Sequence, residues 1–89
     1  MVKENLRILV VDDEQDYCEV LKMILESNGY AVETCLNGKE ALDILEDRSF
    51  DVVISDLNMP VMDGFELLKN IKEREYDTEV LILTAFGTI

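Results

Sequence analysis

Three carboxylates and one hydroxyl in this chain stand where apolar runs stop. LRILVV (6–11) halts at Asp12 and Asp13, DVVISD (51–56) closes on Asp56, and VLIL (80–83) runs into Thr84. Should the first two of these runs lie side by side, Asp12, Asp13 and Asp56 converge, and their mutual repulsion demands a proton or a cation between them. Carboxylate oxygens with no histidine in the chain and no CxxC pair select a hard divalent ion such as Mg2+, which keeps several waters and takes a phosphate oxygen as a further ligand. With its charge screened in this way, the Asp56 carboxylate can attack phosphorus and form an acyl phosphate. Most of the bond chemistry then belongs to the phospho-donor, while the protein supplies position and charge neutralisation. Thr84 can donate a hydroxyl hydrogen bond to the transferred group, and the amides of Ala85 and Phe86 add donors if their loop turns inward.

Each of these residues also has a plainer reading. Asp12 or Asp13 alone serves equally well as a turn former or helix cap, and Thr84 alone as a routine strand end. Met59 and Met62 read as loop packing, Pro60 and Asp63-Gly64 as turn chemistry, and Glu19, Glu26, Glu46 and Glu73 as solvated helix faces. The chemistry rests on the aspartates acting together.

The elements that must position them follow from periodicity. Leu6 to Val11 is a branched apolar run suited to a strand covered on both faces. From Glu14 to Asn28 the residues Tyr17, Val20, Leu21, Ile24 and Leu25 recur at helical spacing, with Gly29 as the stop. Tyr30 to Cys35 suits a second strand, and Asn37-Gly38 turns into a helix with Ala41, Leu42 and Leu45 on one face. Asp51 to Asp56 repeats the first strand's design, and Leu57 to Asp63 is a loop. Phe65, Leu68 and Ile71 mark a third helix to Lys72, and Val80 to Leu83 is a fourth strand. Strands alternating with helices at this spacing predict an α/β fold, a parallel sheet with right-handed crossovers and helices on both faces. Polar groups at its strand carboxyl ends fall near the point where strand order reverses.

Eighty-nine residues, 48% of them hydrophobic, suffice for one small core and predict a single domain over 1–89. Eight basic residues against twenty acidic give a net charge of −12, which argues against direct nucleic-acid or anionic-membrane binding. Cys18 and Cys35 read as small core residues. No leader with a cleavage site and no apolar run of bilayer length is visible, so the cytoplasm is the expected location.

The ILVVDDE run (8–14), the DLNMPVMDG run (56–64) and the LTA step (83–85) together resemble the receiver domains of bacterial two-component response regulators. The resemblance covers nearly the whole chain and implies a flavodoxin-like doubly wound sheet. It further implies that Asp56 is the phosphoacceptor, that Asp13 binds Mg2+ directly with Asp12 beside it through metal-bound water, and that the backbone carbonyl of Asn58 completes the shell. Thr84 resembles the switch hydroxyl that moves toward the phosphoryl group. The side chains of Asn58 and Phe86 match positions that tune water access to the acyl phosphate. The implied donor is a sensor histidine kinase or phosphotransfer protein docking around the first helix. The AFGTI stretch (85–89) is similar to receivers joined to enhancer-binding transcriptional activators, which implies a transcriptional output domain.

Such receivers continue through a fourth helix, a fifth strand and a fifth helix, which this sequence does not include. The lysine that would pair with the acceptor site falls in that segment, and none in 1–89 matches its context. Weaker phosphoryl stabilisation is expected in consequence. An uncovered sheet face and edge strand are also expected, leading to partial disorder or self-association. Two other functions compete: an aspartate-nucleophile phosphatase, whose DxDxT loop Asp12-Asp13-Glu14 does not fit, and a dimerisation piece that is never phosphorylated. A flavin-binding module fits worse, since its phosphate loop needs hydroxyls and glycines where this chain has acids. The expected activity is self-promoted aspartyl phosphorylation, not turnover.

Overall fold

The computed structural model describes residues 6–84 and 87–88, with side chains described through residue 83. The order is β1 (Arg7–Val11), α1 (Gln15–Ser27), β2 (Ala31–Cys35), α2 (Gly38–Asp47), β3 (Val52–Asp56), α3 (Gly64–Glu73), β4 (Glu79–Thr84) and β5 (Gly87–Thr88). The strands form one sheet in the order β2-β1-β3-β4-β5. The first four are mutually parallel, and strand order reverses between β1 and β3. This is the doubly wound arrangement expected from the alternation of strand and helix.

Alternation along β1 divides the interior in two. Ile8 and Val10 join Cys18 and Val32 beneath α1, while Leu9 and Val11 join Val53, Leu67 and Ile71 beneath α2 and α3. Leu9, Val11, Val53, Leu67 and Ile71 are essentially inaccessible to solvent. Burying each contributes about 1.5–3 kcal/mol relative to exposure.

The helix ends show local chemistry. The Asn37 side chain accepts from the Glu40 amide at 2.9 Å to start α2. Asp63 and Glu66 form a reciprocal capping box at the start of α3. Gly29, at φ 94°, ends α1 in the left-handed conformation that glycine adopts without steric cost.

The structure corrects the sequence reading in three places. First, the chain adds a two-residue strand: β5 runs antiparallel to β4, pairing Leu83 with Thr88 and Thr84 with Gly87. The edge of β4 expected to be bare is therefore covered at its carboxyl end. Secondly, α3 turns Gly64, Leu67 and Ile71 inward and leaves Phe65 exposed, because the 64–67–71 spacing lies on a single helix face. Thirdly, Tyr17, Val20 and Ile24 of the α1 stripe are exposed, whereas Leu21 and Leu25 pack. Among the described residues the helix packs chiefly on β2 and β1, and Leu81 on β4 is also exposed.

A recess of roughly 90 Å³ lined by Leu45, Phe50, Tyr76 and Thr78 opens at the amino-terminal end of the sheet, opposite the aspartates. Among the described residues, no helix is long and apolar enough to cross a membrane.

Candidate functional site

Strand register assembles the site. Val11 pairs with Ser55, and Asp56 with Leu83, so Asp12, one residue beyond Val11, stands level with Asp56 on the neighbouring strand. Carboxylate oxygens of Asp12, Asp13 and Asp56 all lie within 4.8 Å of one another. Asp12 is buried, Asp56 half-buried and Asp13 exposed, which grades the site from the sheet interior to solvent.

Burial raises the Asp12 carboxyl above its ordinary 3.8, and the charges of Asp56, Asp13 and Glu14 push the same way. The Glu14 amide, donating to Asp12 Oδ1 at 2.9 Å, opposes them. The cluster thus holds more negative charge than its protein surroundings neutralise. Among the described residues, ion pairs join Arg7 and Arg48 to Glu33 and Arg74 to Glu46, and none reaches the aspartates. An all-oxygen set of this kind fits a hard divalent cation.

Three residues to which the sequence reading gave no part in the site fix the backbone under the acids. The Cys18 thiol donates to the Asp12 carbonyl at 3.3 Å. The Ser55 hydroxyl, wholly buried, donates to the Asp56 carbonyl at 2.9 Å. At Gly64 any Cβ would fall 2.7 Å from that same carbonyl oxygen, so only glycine lets α3 start against Asp56. A lone hydroxyl between the apolar VVI and Asp56 was the available signal for Ser55, whereas Cys18 read as core and Gly64 as turn chemistry.

Asn58 is exposed in the loop after Asp56, and Met59 is buried there as loop packing. Thr84 ends β4, one residue beyond the partner of Asp56. Its hydroxyl is outside the described side chains, and Ala85 and Phe86 are outside the described residues. Both cysteines are buried and free, as expected.

The sequence model of the response regulator receiver domain family matches residues 8–89. The chain is 39% identical over all 89 residues to the transcriptional regulatory protein ZraR of Escherichia coli O157:H7, of which it spans 20%. It is 46% identical over 85 residues to the two-component response regulator ORR26 of Oryza sativa subsp. japonica, covering 93% of this chain and 14% of that protein. The chain therefore spans about a fifth or less of the length of these curated relatives. Among solved structures, response regulator TrrA from Thermotoga maritima in complex with Mg2+-BeF superimposes with a TM-score of 0.83 at 42% identity, covering 89% of this chain and 69% of that one. TrrA in complex with the histidine kinase ThkA gives 0.84 at 41%, covering 91% and 70%.

Proposed function

Since this chain belongs to the response regulator receiver domain family, we propose that it takes a phosphoryl group onto Asp56 and passes the change to an output domain. The convergence of the carboxylates of Asp12, Asp13 and Asp56 within 4.8 Å is the observation that carries this reading. Asp13 and Asp56, with the Asn58 backbone carbonyl, would hold Mg2+, and Asp12 would act through its water. When bound, the ion supplies charge neutralisation for the carboxylates and for the phosphoryl oxygens.

The protein's own groups do the rest. An Asp56 oxygen attacks the phosphorus of a phosphohistidine in line with the leaving imidazole; a P–O bond forms as the P–N bond breaks. Ser55 and Gly64 hold the Asp56 backbone while this happens. Thr84 donates its hydroxyl to the new phosphoryl group and carries its strand end with it.

The donor is a sensor histidine kinase or phosphotransfer protein, in line with the complex formed by TrrA. The output is transcriptional, in line with ZraR. With a net charge of −12 this segment itself leaves DNA to other parts of the protein, and the cytoplasm is its place of work.

Incubation with magnesium and a small acyl-phosphate donor, followed by intact mass measurement, tests the proposal. One added phosphoryl group, absent in Asp56→Asn, is expected. No adduct on the wild-type chain would favour an unphosphorylated dimerisation piece, and steady release of inorganic phosphate an aspartate-nucleophile phosphatase.

A further inference from the structure

Of the residues in α1 only Cys18 is buried, against Ile8, Val10 and Val32 on the apolar face of the sheet. A small aliphatic side chain would fill that place equally well. What sulfur adds is a weak donor that is cheap to bury. Its Sγ lies 3.3 Å from the Asp12 carbonyl oxygen and 3.9 Å from that of Cys35. The helix itself aims it there. The Cys18 amide donates to the carbonyl of the N-cap residue Glu14 at 3.1 Å, which places Cys18 in the opening turn of α1. Helical side chains lean toward the amino terminus, here toward the end of β1.

Asp12 is thereby held at three points. Its amide donates to the Cys35 carbonyl at 3.2 Å, its carboxylate accepts from the Glu14 amide at 2.9 Å, and its carbonyl accepts from the Cys18 thiol. The third point reaches beyond Asp12, because the Asp12 carbonyl and the Asp13 amide belong to one rigid peptide plane. Fixing the oxygen fixes the plane. The plane in turn sets the direction from which Asp13, itself exposed, brings its carboxylate within 4.8 Å of the other two.

We propose that Cys18 is a positioning residue for Asp13, its thiol holding the Asp12–Asp13 peptide so that the Asp13 carboxylate is already placed for the metal. The proposal rests on the reading that Asp13 binds Mg2+ directly. Repulsion from Asp12 and Asp56 drives Asp13 outward, and a fixed backbone limits how far it swings. Less ordering is then left to be done when the ion binds, which raises affinity. Cys18 touches neither ion nor phosphoryl group and acts through the backbone alone.

Cys18→Ser and Cys18→Ala in the full-length protein separate donation from packing. Both shrink the side chain among the same apolar neighbours, so both are expected to lower the urea midpoint. Only serine keeps a donor. Magnesium affinity by titration calorimetry is expected to stay within about twofold of wild type in Cys18→Ser and to fall on the order of tenfold in Cys18→Ala. In the metal-free protein, NMR with labelled aspartate is expected to show the Asp13 amide resonance displaced in Cys18→Ala and less so in Cys18→Ser.

Wild-type magnesium affinity in Cys18→Ala, or equal losses in the two variants, overturns the positioning role and leaves Cys18 as packing. An Asp13 amide resonance unmoved in Cys18→Ala does the same without reference to metal. A wild-type protein that takes up no magnesium overturns the metal reading beneath the proposal, so the two failures are told apart.

Discussion

Asp12→Asn should stabilise the metal-free protein and weaken its response to magnesium. The substitution preserves size and leaves Asn Oδ1 able to accept from the Glu14 amide, as Asp12 Oδ1 does now, so charge is the principal change. Asp12 faces the carboxylates of Asp13 and Asp56 within 4.8 Å. One such pair repels by about 1 kcal/mol at the dielectric of water and about 3.5 kcal/mol at an effective value near 20. Asp12 is buried but Asp13 is open to solvent, which places the combined relief at about 1–3 kcal/mol. Urea unfolding in the presence of a chelator reads this as a raised midpoint with unchanged slope. Under saturating magnesium the wild type gains stability through binding, and the variant gains less. A variant less stable than wild type in chelator, or one with the full magnesium gain, would refute the electrostatic reasoning.

Other consequences reach different parts of the molecule. Gly64→Ala sets a Cβ 2.7 Å from the Asp56 carbonyl oxygen, and a loss of about 1–3 kcal/mol is expected in urea unfolding. Asn37→Ala removes the α2 cap and should cost about 1 kcal/mol, read the same way. Burial, reinforced by Glu40, pushes the Cys35 thiol up to about 12 from its ordinary 9.0. Its contribution to stability is complete below the unfolded value and is lost as pH rises through the folded one. Urea midpoints should therefore fall between about pH 9 and 12, less steeply in Cys35→Ala. Val20, Ile24 and Leu81 are exposed, and the 89-residue chain is expected to elute from gel filtration ahead of a 10.2 kDa monomer. Ile24→Asp should shift it back.

Short runs suited to strands, alternating with helically spaced segments, were enough to foresee the four parallel strands, because parallel order follows from the intervening helices; two of those runs, closing on acids, marked the site. The same logic brings Asp12, Asp13 and Asp56 together on the condition that the first and third strands are neighbours, which the β1–β3 pairing meets. What it missed depends on relations between elements. The inward face of α3 is set by Gly64 fitting against the Asp56 carbonyl, a close approach with no periodic signature. The exposure of Val20 and Ile24 depends on where α1 lies across the sheet, which its stripe does not encode. The positive φ of Val61 runs against residue preference and has no mark in the sequence.

Reductive trapping is the most direct test of the central claim. Borohydride converts an aspartyl phosphate to homoserine, which peptide mass spectrometry locates in the chain. After treatment with magnesium and an acyl-phosphate donor, homoserine is predicted at Asp56, and none when magnesium is chelated. Homoserine at another aspartate, or equal yield without the metal, would contradict the account.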